Sequence, residues 1–213
     1  MILPALIIVL CLGAFAAWFS ERKNPGAPRW VAIITLAIEA PLLAVEYKKT
    51  ELIDIFSTNI LPTWLDDFNR SWIPRFGIGF HLAMDGLSLL LIALTVLLGF
   101  MAVSSSWTEI KNRQGFFFFN LLTCLAGTVG VFLAVDLFLF FFFWELMIIP
   151  MYFLISIWGH ENRTYAAIKF VIFTQVSSLL LLLAIVVLAL ISHKQSGVYT
   201  FDYFKLLNTK INP

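Results

Sequence analysis

The chain has 213 residues, of which 61% are hydrophobic and 13% charged, with a mean hydropathy of +0.92 and a formal net charge of +1. A soluble domain carries about 25% charged residues, so this composition excludes a soluble globular fold and makes lipid the solvent for most of the surface. The small net charge, with no run of one sign, gives no basic face for nucleic acid and no acidic tail.

A transmembrane helix needs about 20 predominantly apolar residues to cross roughly 30 Å of hydrocarbon. Six stretches qualify: Ile2 to Phe19, Trp30 to Val45, Leu87 to Val103, Phe116 to Ala134, Leu137 to Trp158 and Tyr165 to Ile191. The fold class expected is therefore an all-α membrane protein, a polytopic bundle of about six transmembrane helices.

The first run starts without a charged flank, and Ala14-Phe15-Ala16 leads into Ala17 and Trp18 instead of polar sequence, so it reads as a retained span. Cys11 and Cys124 stand alone in apolar stretches, without the spacing of a metal or redox pair, and read as small buried hydrophobes. The second run is short and carries Glu39 and Pro41, which places Glu39 within reach of the near interface.

The long loop Glu46 to Gly86 contains Pro62, Trp64, Trp72 and Pro74. Its segment from Ile73 to His81 alternates bulky and small residues, as a short strand or hairpin packed over helix ends would. Asp85, just before the third span, reads as a helix cap.

The apolar run from Phe116 to Trp158 would be about 60 Å long as one helix, twice the hydrocarbon thickness, so it must fold back. The break falls at Asp136, whose carboxylate can accept from the free N–H groups opening the next helix. Lys and Arg are densest in the short first, third and fifth loops (Arg22, Lys23, Arg29; Lys111, Arg113; Arg163), which makes those loops cytoplasmic and puts the N-terminus outside. His81, His160 and His193 fall in expected loops and lack metal-ligand spacing.

An ionisable group near the bilayer centre costs at least ~2.5 kcal/mol, so its presence is by default a functional hypothesis. Glu145 is such a group, about 13.5 Å along its helix from Asp136. Apolar surroundings favour a neutral acid and an approaching cation favours an ionised one, so a group so placed can load and release a proton. Glu145 is the candidate catalytic residue, a proton-translocating carboxylate.

Pro150, five residues on, removes its own N–H bond to the Leu146 carbonyl and marks a helix kink. Lys169 lies in the second turn of the last span, where snorkelling is the plain reading. With Asp136, it is the other proton-path candidate, joining Glu145 in a hydrated path helped by Thr174, Gln175, Ser177 and Ser178 on its helix. There is no Gly-rich phosphate loop, no CxxC cluster and no His pair within the spans, so no electron carrier can be placed on the chain.

Three strings carry a specific likeness: Ile73-Pro74-Arg75-Phe76-Gly77-Ile78; His81-Leu82-Ala83-Met84-Asp85-Gly86-Leu87-Ser88; and Phe132 through Trp144-Glu145-Leu146-Met147-Ile148-Ile149-Pro150 to Leu154. With Ile157-Trp158-Gly159-His160 and Lys169 to Gln175, they make the chain resemble, over essentially its whole length, the antiporter-like subunit M family of bacterial NADH-quinone oxidoreductase, respiratory complex I.

The resemblance implies the N-terminal part of an inverted-repeat fold. Residues 1–115 hold helices 1–3 with the outer loop 46–86, and residues 116–213 open the first repeat before its broken helix. It implies that Glu145 is the essential carboxylate of that repeat, paired in the family with a Lys on the broken helix that lies beyond this sequence. A fragment or truncated product is the reading that follows.

The same resemblance implies proton pumping driven by electron transfer from NADH to quinone on other subunits. Those subunits carry the flavin, iron–sulfur clusters and quinone, and no redox chemistry falls on this chain. Its partners would be other membrane-arm subunits and lipid, in the bacterial inner (plasma) membrane. A subunit of a multi-subunit cation/proton antiporter, which shares the helical repeats, is the alternative, and an inert truncated chain is the non-catalytic one.

Overall fold

The computed structural model describes residues 2–50, 64–207 and 209; Pro62 of the expected outer loop and most of the closing segment after Leu207 lie outside them. The described elements are α1 (Ile2–Ser20), α2 (Ala27–Thr50), β1 (Asp66–Ile73), a 3-10 turn (Pro74–Phe76), β2 (Ile78–Met84), α3 (Gly86–Glu109), α4 (Gln114–Leu133), α5 (Leu137–Trp158), α6 (Arg163–Ser196) and α7 (Tyr203–Leu207). Among them, α1 to α6 are long and apolar enough to cross a membrane, though α2 passes this measure only to Lys48.

The second span is longer than the sequence predicts. It continues through Glu46 and Lys48 to Thr50, with Pro41 inside it, because a proline need not end a membrane helix when neighbouring helices support the freed carbonyl. Large apolar side chains point outward along every span except α4, among them Leu12, Ile34, Leu90, Leu180 and Phe173, as lipid-facing positions do.

The bundle is centred on α4. It packs against α1 on one side and α5 on the other, and α2 and α3 close the first side around a core that includes Leu6, Leu10, Leu36, Ile92, Phe118 and Leu122. Missing side chains allow this closeness. A Cβ on Gly130 would run into the Phe143 ring, and one on Gly99 would press on Leu36 and Leu125. Outside α4, α6 packs on α5 and leaves much of its surface uncovered.

At one end of the bundle β1 and β2 form the expected hairpin, antiparallel from Asp66↔Met84 to Ile73↔Ile78 with a register shift between Ser71 and Ile73. Gly77 turns the chain at φ 68°, a left-handed conformation that favours glycine, and a Cβ there would also strike the Tyr199 carbonyl. The hairpin does cover helix ends. Val135 N–H donates to the His81 carbonyl at 3.0 Å, and Leu137 N–H donates to the Phe201 carbonyl at 2.9 Å, so residues 134–137 are held between β2 and the segment before α7. Asp85 caps α3, accepting from Ser88 N–H at 2.7 Å.

Candidate functional site

Glu145 lies nine residues into α5, counted from its cap. Gln175 on α6 donates from Nε2 to Glu145 Oε2 at 3.1 Å, and Glu145 Oε1 is buried without a hydrogen-bond partner. Helices α5 and α6 are antiparallel and joined by a short loop, with Glu145 thirteen residues before Trp158 and Gln175 twelve after Arg163, so equal distance from the loop brings the two level. The residue order alone permits that counting. Of the polar residues grouped with Lys169 from the sequence, Gln175 is the one the structure brings to Glu145.

Glu145 and Gln175 lie on the wall of a cavity of about 560 Å³ between α5 and α6, lined otherwise by apolar and aromatic side chains such as Phe142, Ile149, Tyr152 and Ile172. One carboxyl oxygen is thus held by an amide while the other is buried and unpartnered, on a residue that lines an apolar cleft. Pro150 is buried on the same helix.

The other predicted residues are placed elsewhere. Lys169 is exposed, with Nζ 4.7 Å from the centre of the Tyr165 ring, about 9 Å along the axis from Gln175. Thr174 and Ser177 donate to Phe170 and Phe173 carbonyls one turn back, and Ser178 donates to the Gln175 carbonyl, all within their own helix. Among the described residues no hydrogen bond joins this group to Lys169.

Asp136 caps α5. One oxygen accepts from Phe138 N–H and Leu139 N–H at 2.9 and 3.1 Å, and the other from Gly79 N–H on β2 at 3.0 Å. Burial pushes its carboxyl up from the ordinary aspartate range, the three backbone N–H groups oppose that, and nearby Asp202 adds to it.

Two histidines are not in loops. His81 is on β2, buried, with Nδ1 3.0 Å from Asp202 Oδ2 and Nε2 3.1 Å from Asp67 Oδ1, so it ties the hairpin to the segment before α7. His193 is in α6, whose helix runs past the expected end to Ser196, and its ring stacks on Tyr199 at 3.7 Å. Glu39 does not reach an interface. It is 0% exposed, because α2 continues for nearly three turns beyond it and its face turns into the bundle.

Six spans, five of them packed as a bundle centred on α4 and the sixth on α5, with a mid-helix carboxyl group lining an apolar cleft, define a polytopic membrane protein of the antiporter-like type. Residues 134–212 match the family model described as NADH:quinone oxidoreductase/Mrp antiporter, TM, and the chain belongs to that family. It is 48% identical over 222 residues to NADH-quinone oxidoreductase subunit M of Escherichia coli strain K12, covering 100% of this chain and 42% of that protein. The same subunit of Pseudomonas aeruginosa is 48% identical over 219 residues, covering 100% of this chain and 43% of that protein.

The chain thus spans less than half the length of the curated relatives it matches. Among solved structures, respiratory complex I from Thermus thermophilus with bound NADH is similar at a TM-score of 0.71 and 24% identity, covering 100% of this chain and 40% of that one. The Mrp complex from Dietzia sp. DQ12-45-1b has a TM-score of 0.71 at 18% identity, covering 93% of this chain and 20% of that one. These two likenesses are of fold.

Proposed function

We propose that this chain is part of a proton-translocating membrane subunit of an NADH-quinone oxidoreductase, with Glu145 as the residue that takes up and releases the proton. The carrying observation is Glu145 itself: an acid in mid-helix with one oxygen fixed by Gln175 and the other unpartnered at a cavity wall. Names of the 48% identical relatives support the choice of complex. Electron transfer, with its flavin, iron–sulfur clusters and quinone, belongs to partner subunits. Charge shifts there move a cation toward or away from Glu145, changing its proton affinity. The subunit sits in the bacterial inner membrane among other membrane-arm subunits, with the hairpin end of this bundle and the N-terminus outside.

The test is Glu145→Gln in the intact complex that contains this chain. Proton pumping coupled to NADH oxidation should fall by roughly 100-fold or to background, the scale of a lost proton-transfer group. Wild-type pumping in that variant ends the assignment. Sodium-dependent proton flux without NADH oxidation would favour the antiporter reading, which the family model's description also covers.

A further inference from the structure

The first four helices contain a buried acid that the proposed function does not use. Glu39 is 0% exposed, and neither Oε1 nor Oε2 has a hydrogen-bond partner. It lies in the buried stripe of α2 made by Ala32, Thr35, Leu36, Glu39, Leu43 and Glu46. That stripe faces α1, α3 and α4, the helices α2 packs against.

Among the described residues no counter-charge faces it. The sequences of α1, α3 and α4 contain no Lys, Arg or His, and their one acidic residue is Glu109 at the far end of α3. Their remaining titratable groups are the thiols of Cys11 and Cys124. On α2 itself Arg29 and Lys48 stand ten and nine residues away, about 15 and 13.5 Å along the axis. Arg29 is turned to the opposite end of the bundle, donating to the Ile110 carbonyl. Of the nearby hydroxyls, Thr35 donates to Val31 and Thr95 to Leu91, both within their own helices.

The depth of Glu39 follows from the close contacts. A Cβ on Gly99 would meet both Leu36 and Leu125, so those residues share a level, and three residues further along the parallel helices α2 and α4 lie Glu39 and Thr128. Thr128 Oγ1 is 3.1 Å from Met147 Sδ on α5, two residues from Glu145. Glu39 and Glu145 therefore sit within about one helical turn of the same depth, on opposite sides of α4.

We propose that Glu39 is a second proton-binding site of this chain, set inside the α1–α4 bundle and separate from Glu145. An ionised carboxylate there would have neither a counter-ion nor a donor, the arrangement that low-dielectric surroundings penalise most; a bound proton neutralises the charge and supplies a hydroxyl. The ligand is the proton. Glu46, two turns along the same buried stripe toward the hairpin end, is the other carboxyl facing this side.

Infrared difference spectroscopy on the intact complex in lipid nanodiscs tests it, comparing wild type with Glu39→Gln and, separately, Glu145→Gln. Glu39→Gln should remove one protonated-carboxyl C=O stretch per chain, and that stretch should shift down when H2O is replaced by D2O. Glu39→Asp should restore a protonated-carboxyl stretch at a displaced frequency, which separates loss of the acid from loss of fold. Removal of a carboxylate stretch instead, or a C=O stretch insensitive to D2O, overturns the proposal: the first makes Glu39 an ionised group, the second a sealed structural acid. Glu145→Gln should leave the Glu39 stretch in place, so failure of the pump assignment and failure of this one read out independently.

Discussion

The hairpin end and the middle of the bundle treat their acids in opposite ways. At the hairpin end Asp85, Asp136 and Asp202 each accept from backbone N–H groups at a helix start, and Asp202 also meets His81. In the middle, Glu145 has one partner and Glu39 none. A carboxyl group tied to backbone N–H groups at a helix start holds that start in place. An acid left with unpartnered oxygens in apolar surroundings costs stability, a cost that proton translocation as proposed above would explain.

The contrast breaks first at Glu145. Its replacement by Gln should remove coupled proton translocation while leaving assembly intact. Gln175→Leu, which frees the held oxygen, should lower translocation by about 10-fold, the scale of one lost hydrogen bond, when pumping is assayed in vesicles. If Gln175→Leu pumps at the wild-type rate, the hydrogen bond has no part in presenting Glu145.

Packing comes next. Gly130→Ala drives a methyl into the Phe143 ring at the α4–α5 contact and should destabilise the bundle by up to about 3 kcal/mol, read by thermal unfolding of the purified membrane protein. His81→Ala leaves Asp202 and Asp67 without their shared partner and should cost about 2 kcal/mol. Because the clamp is far from Glu145, pumping per folded complex should be unchanged.

Asp136→Ala should cost about 1 kcal/mol as a lost cap. Its pH dependence has a definite sign. Burial raises the folded-state pKa above the unfolded value, so the folded chain holds more protons in that window. This contribution to stability is full at acid pH and is lost as pH rises through the raised value. Asp136→Asn should flatten that slope, and an unchanged slope between pH-resolved melts of the two proteins would contradict the burial account. The smallest effect is Lys169→Ala, below about 0.5 kcal/mol and without loss of pumping, as for an exposed side chain resting on Tyr165. Loss of pumping there would move Lys169 into the proton path.

Much of the architecture is legible in the order of residues alone. Spans α1 and α3 to α6 follow from runs of apolar residues long enough to cross lipid, the caps at Asp85 and Asp136 from acids placed just before those runs, and the hairpin from alternation near Gly77. The mid-helix position of Glu145 follows from counting residues past Asp136. Each of these depends on local chemistry and a fixed rise per residue, so neighbours in sequence suffice.

Which side chains meet, and which face inward, is a matter of packing. Hydropathy could not tell that α2 runs past Pro41 and seals Glu39, because burial depends on three other helices. Nor could it tell that Gln175, and not Lys169, reaches Glu145, since six residues on a helix change both depth and face. His81 became a clamp only when residues 14 and 121 positions away folded onto it. The lipid-spanning elements and the acid in the oil are written in the chain itself, because both are set by transfer energies of single segments. The partners of that acid, and the burial of a second one, come from the assembled bundle, because contact between helices is a property of their shared surface and not of either segment alone.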